Sequence, residues 1–152
     1  MTTTNRPRRR GWENALVAVA MRHQALPFSH AQSNCLRLVA DVDRAMTGRD
    51  PMRGYRRETR SAIGVARVMK RLGYRTVADA LAATYPEIAP AMARRGDCGL
   101  VETPDGELAA VIVLGDQVMG KSAQDANLHH ARKATGATLL PRTRLVRAFR
   151  IG

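Results

Sequence analysis

Cysteine is nearly absent from this chain. Cys35 and Cys98 are the only two in 152 residues, too few for a disulfide framework or a cysteine-rich metal site. Aromatics are also sparse: Trp12, Phe28, Phe149 and three tyrosines. Aliphatic side chains and alanine must therefore fill the core. No apolar run is long enough to cross a membrane as a helix. Met1 to Arg10 is polar and basic and lacks the apolar stretch of a secretion signal. Acidic residues are few as well, 13 against 25 lysines and arginines, giving a net charge of +12. That charge predicts non-specific attraction to polyanions. The arginines carry no recognition-helix pattern and little aromatic interleaving, so specific nucleic-acid recognition is not indicated, although a basic adaptor contacting nucleic acid remains an alternative.

The length suits one domain with a real core. Residues 1–11 read as a basic flexible arm whose Arg8-Arg9-Arg10 offers a dock for an acidic partner. Trp12, Leu16, Val19 and His23 share one face of a first helix, with His23 expected partly exposed at its end. A second helix opens at Cys35 and buries Cys35, Leu38, Val39, Val42 and Met46, leaving Asp41 and Asp43 off the stripe. Residues 48–55 form a loop. A third helix covers about 60–72 and ends at Gly73. A fourth starts at Thr76, with Asp79 completing a weak capping box. Beyond Pro90 the pattern turns to strands at 98–102, 108–114, 117–119, 137–140 and 145–151, with a hairpin turn at Pro104-Asp105-Gly106. The run 108–114 is apolar at every position, as in a strand buried on both faces. Residues 122–136 read as an irregular polar loop. Helices first and a meandering sheet second predict an α+β fold, N-terminal helices packed on a small antiparallel sheet, in one domain over 12–152.

A thiol at a helix start is the setting in which cysteine becomes a nucleophile, since free N–H groups and the helix dipole favour thiolate. The residues around it form an ordered series: Pro27-Phe28 through Asn34-Cys35-Leu36, then Ala45 to Asp50, Gly54-Tyr55, Ala93 to Asp97, Leu114-Gly115-Asp116 and Arg147 to Ile151. In that order they resemble the NlpC-like branch of the papain-like cysteine peptidases, and in particular domains encoded beside phage tail genes. The resemblance spans about 12–151. It implies an NlpC/papain-like fold with Cys35 at the nucleophile position, a histidine base on a sheet strand, and a polar residue on the next strand to orient the imidazole. The usual Asp-Cys pair is Asn34-Cys35 here. The strand expected to begin with the histidine reads Ala109-Ala110-Val111-Ile112-Val113-Leu114-Gly115, so Ala109 occupies the expected base position. Gln117 is the possible orienter on the following strand.

Three other histidines are candidate bases. His30 lies in the loop before Cys35, and His129 and His130 lie in the 122–136 loop. Solvated surface positions are the commoner fate of such side chains. Cys98 reads as core. A zinc site from Cys35, Cys98 and His129-His130 lacks the close paired spacing of such sites, and neither metal nor other cofactor is expected. The resemblance implies a virion component of a tail tip or baseplate, assembled in the bacterial cytoplasm, with a degenerate peptidase-like fold and neighbouring tail proteins as partners. The alternative is an active cysteine amidase or endopeptidase of peptidoglycan.

Overall fold

The computed structural model describes residues 5–121 and 136–152. Four helices come first: α1 (Trp12–Ala25), α2 (Cys35–Thr47), α3 (Ala62–Leu72) and α4 (Val77–Thr84). Six strands follow: β1 (Glu87–Ile88), β2 (Cys98–Glu102), β3 (Leu108–Val113), β4 (Gln117–Lys121), β5 (Ala137–Pro141) and β6 (Leu145–Phe149). They form one antiparallel sheet in the order β1-β6-β2-β3-β4-β5. The α+β architecture is thus present, with helices packed on a small antiparallel sheet. The two-residue β1 has no pattern long enough to be read from sequence.

The helix ends follow local chemistry. Asn34 caps α2 by accepting the Arg37 backbone N–H, and Ser61 caps α3 by accepting from Gly64. Thr76 and Asp79 form a reciprocal capping box on α4. This satisfies donors that a helix start leaves free. Gly48 ends α2 with φ +79°, and a Cβ there would sit 1.8 Å from the Arg9 guanidinium. The left-handed backbone there favours glycine, and any larger residue would also have to displace the Arg9 side chain.

The sheet separates two apolar layers. On the helix side, Leu16, Leu38, Val42, Met46, Leu81, Cys98, Leu100, Ala110, Ile112, Met119 and Phe149 pack together. On the other side, Val101, Val111, Val113, Val118, Leu145 and Ala148 pack with Ala93. Strand β3 feeds both layers by alternation, which explains its unbroken apolar run. Cys98 is buried core.

The basic arm is not loose over its described part. Arg9 N–H donates to the Met46 carbonyl at 2.7 Å. Arg8 pairs with Asp97 at 2.8 Å, donates to the Ile151 and Arg95 carbonyls, and stacks 4.4 Å from the Trp12 ring centre. Asp97 is fully buried and also accepts the Arg94 and Ile151 backbone N–H groups. The expectation of a flexible arm through residue 11 is corrected here: the acidic partner of Arg8 is this chain's own Asp97.

Candidate active site around Cys35

The loop entering α2 is held from several directions. Ser29 and Ser33 exchange backbone hydrogen bonds at 2.8 and 3.1 Å, closing a tight bend. The Asn34 amide donates to the Ser29 and His30 carbonyls. Buried Arg37 donates to the His30 carbonyl at 2.8 Å and, with its other arm, to the Arg56 carbonyl and Thr59. Cys35 is consequently fixed at the first turn of α2, half-buried against the helix-side core.

Backbone N–H groups of Cys35, Leu36 and Ala110 lie near the thiol and favour its thiolate. Burial is the larger influence, and the net shift of the Cys35 pKa is upward. The helix-start advantage exists but is outweighed by desolvation.

Strand β3 approaches Cys35 through Ala110, not Ala109. Ala110 belongs to the helix-side layer that Cys35 packs on, and Ala109 packs with the opposite layer. Successive strand residues point to opposite faces, so Ala110, not Ala109, shares the helix-side layer with Cys35. Its side chain is a methyl group, with no proton to give or take.

The other candidates are dispersed. The His30 ring stacks edge-on against Phe28, 5.5 Å between centres, and makes no hydrogen bond to Cys35. Gln117 is exposed beside the β3–β4 turn, at the end of that ladder away from Ala110. The register, with Val111 opposite Gly120, places Lys121 beside Ala110 instead. His129 and His130 lie outside the described residues. Among the described residues no three His, Cys, Asp or Glu side chains gather as metal ligands.

Two polar features near the site were not read from sequence. His23 is fully buried, contrary to its expected exposure. Its Nδ1 lies 2.8 Å from the Ser33 hydroxyl and its Nε2 2.8 Å from Asp41. Burial raises the Asp41 pKa, but hydrogen bonds from His23 and Arg56 and the Arg56 charge outweigh it, leaving it below the ordinary value. An ionised Asp41 only accepts, so Nε2 carries a proton toward it, while Nδ1 shares a hydrogen bond with the Ser33 hydroxyl. Ser33 is fully buried, so this Ser-His-Asp chain anchors the loop rather than presenting a nucleophile. The stripe Trp12, Leu16, Val19, His23 was the available signal, because it already places the ring on the buried face.

Lys121 is the second feature. It is 2 % exposed and donates to the His23 and Leu26 carbonyls at 2.7 and 2.5 Å. The helical partner of the His23 carbonyl would be the N–H of residue 27, which is Pro27 and has none. Lys121 supplies the missing donor.

Asp43 is also buried rather than exposed, and accepts from the Thr47 and Tyr85 hydroxyls at 2.6 and 2.8 Å. Burial raises its pKa beyond what those two hydrogen bonds offset.

Residues 7–151 match the model of a family described as a domain of unknown function, DUF6950. No curated protein matches the chain. Among solved structures, the chain is similar to the crystal structure of the NlpC/p60 domain of the peptidoglycan hydrolase SagA. Identity is 15 %, the alignment covers 91 % of this chain and 97 % of that one, and the TM-score is 0.49.

Proposed function

We propose, for a chain that belongs to the DUF6950 family, that it is a structural protein of a phage tail tip or baseplate with a degenerate cysteine-peptidase-like site. The observation that carries the loss of activity is the strand next to Cys35, whose Ala110 backbone lies near the thiol and whose Ala110 side chain belongs to the layer that Cys35 packs on. The thiol stands at a helix start, where a nucleophile belongs, and the strand beside it presents a methyl group. Burial holds the thiol in its neutral form. Attack on an amide needs thiolate, formed by a base that takes the thiol proton and, as the conjugate acid, gives it to the leaving amine. Neither requirement is met by the described residues. The tail placement rests on the ordered motifs from Pro27-Phe28 to Ile151 and on the strongly basic composition, suited to binding acidic neighbours.

The folded scaffold around Cys35 remains well built, which fits a domain that keeps its shape while its site lapses. Purified protein incubated with peptidoglycan is expected to release no new amino groups or peptides. Mass spectrometry of purified virions is expected to find the intact chain among tail proteins. Its absence from particles would overturn the structural role.

A second reading, an active peptidoglycan amidase or endopeptidase, is favoured by one feature: three backbone N–H groups lie near the sulfur. It requires a base from His129 or His130. Cleavage of peptidoglycan abolished by Cys35→Ala and by His129→Ala or His130→Ala would establish it.

A further inference from the structure

Several arginines of this chain are used by the fold itself. Arg8 pairs with Asp97 and Arg147 with Glu87, and Arg37 donates to the His30, Arg56 and Thr59 carbonyls. The segment from Arg53 to Arg75 differs. It holds eight lysines and arginines and one acid, Glu58, which is more than half of the chain's net charge of +12. Arg56 is taken by Asp41 and Asp50, and Arg71 by Glu58. Arg53, Arg57, Arg60, Arg67 and Lys70 are exposed and have no ion pair among the described residues.

These side chains share one surface. The Tyr55 and Thr59 N–H groups donate to the Met52 and Tyr55 carbonyls, so the chain winds helically there. Arg53, Arg57 and Arg60, at offsets of four and three, fall near one side of it. Arg67, Lys70 and Arg71 of α3 are neighbours by the same spacing. The two pieces touch: Gly64 lets α3 press on the 3-10 turn Glu58–Arg60, where a Cβ would lie 1.8 Å from the Glu58 carbonyl oxygen. The Glu58 carboxylate joins them, accepting from both Arg71 nitrogens at 3.0 and 2.7 Å, with Arg67 near enough to act on its charge. Like charges at this spacing destabilise a helix, and α3 itself buries only Gly64 and Val68. The fold therefore gains nothing from the crowding, and a polyanion would relieve it.

The composition of the surface selects the polyanion. Protein interfaces are built on an apolar or aromatic centre depleted in charge. Between these cations stand only Ala62, Ala66 and a single exposed Ile63, and Tyr55 and Tyr74 are half-buried. Unstacked bases would need exposed aromatic platforms. Seven of the eight cations are arginine, whose planar fork donates two parallel hydrogen bonds to a phosphate. We infer that the surface formed by residues 53–60 and the outer face of α3 binds double-stranded nucleic acid through its phosphate backbone, without reading sequence. The surface is separate from Cys35, so the inference stands whether or not the thiol is active and whether or not the chain belongs to a phage tail.

The probe is a fluorescently labelled DNA duplex of about 20 base pairs, titrated with the full-length protein and followed by anisotropy between about 50 and 200 mM salt. Saturable binding is expected, with an affinity independent of sequence and a log–log salt slope of about −4 to −5, one unit for each phosphate neutralised. Arg57→Gln with Arg60→Gln, and Arg67→Gln with Lys70→Gln, are each expected to flatten the slope by about two units and to weaken binding about tenfold. Exposed residues carry both pairs, and failure of one pair to fold leaves the other as the test. Arg44→Gln with Arg144→Gln removes the same charge from exposed positions elsewhere and is expected to flatten the slope by less than about one unit. Polyglutamate of equal total charge is expected to compete at least about tenfold more weakly, because its charge is less dense than that of a duplex. Absence of binding at the lowest salt would overturn the inference. So would surface pairs that leave the slope unchanged, a control pair that flattens it as much as they do, or equal competition by polyglutamate, which would mark a site for acidic protein instead.

Discussion

At the residue scale, the chemistry of Cys35 depends on what faces its sulfur. Replacing Ala110 by His places an imidazole on the correct face of β3, whereas Ala109→His places it on the other face. Iodoacetamide alkylation of Cys35, followed by mass spectrometry, is expected to accelerate about tenfold or more in Ala110→His, with its pH midpoint lowered, because an adjacent imidazolium favours thiolate. Ala109→His is expected to leave the rate unchanged. The Ala110 site is fully buried, so that variant is expected to lose about 1–3 kcal/mol of stability to overpacking. The carboxylates make a second test. The lowered pKa of Asp41 contributes stability that is complete above the unfolded carboxylate value and is lost as pH falls through the folded one. The raised pKa of Asp43 acts oppositely: the folded state takes its proton first, so stability from this group increases as pH falls toward the unfolded value. In urea melts across pH, Asp41→Asn is expected to soften the acid limb, and Asp43→Asn to remove the gain on approaching it.

At the element scale, much of the fold was legible. The stripe in α2, the Thr76 capping box, the Pro104-Asp105-Gly106 turn and the doubly apolar β3 each carry a local signal that outlasts tertiary context. The site was less legible, because a one-residue uncertainty in the strand register moves a side chain to the other face. Ala109 and Ala110 pack on opposite faces of β3, and which of them shares a layer with Cys35 depends on that register. Lys121 was invisible because its role depends on a distant helix end and on Pro27 lacking an N–H. Removing its ammonium leaves the His23 and Leu26 carbonyls without that donor. Lys121→Met is expected to cost about 1–3 kcal/mol, measured by urea denaturation. The same change is expected to raise hydrogen exchange at the C-terminal turn of α1, since that turn would lose its tie to β4.

At the scale of the whole molecule, the two chain ends are tied together. Asp97 holds Arg8 from the N-terminus and the Ile151 backbone from the C-terminus. Residues distant in sequence meet at one buried carboxylate, which is why sequence reading left Arg8 in a free arm. Asp97→Ala removes the counter-charge of the Arg8 guanidinium, 10 % exposed, and the acceptor of the Arg94 and Ile151 N–H groups, and is expected to cost about 3–5 kcal/mol. Arg8→Ala leaves Asp97 its two backbone donors and Arg150 at 3.9 Å and is expected to cost less. A denaturation midpoint unchanged by either substitution would show that the arm is as free as its composition suggests. The high net charge is distributed around this closed frame, with the densest run on the α3 segment. The measurement that bears most directly on the central claim is the pH dependence of Cys35 alkylation by iodoacetamide in the wild-type protein. A slow reaction is expected, with a midpoint above that of free cysteine, because burial outweighs the helix start and no base among the described residues serves the sulfur. A fast reaction with a midpoint near or below neutrality would contradict it and restore Cys35 as a working nucleophile.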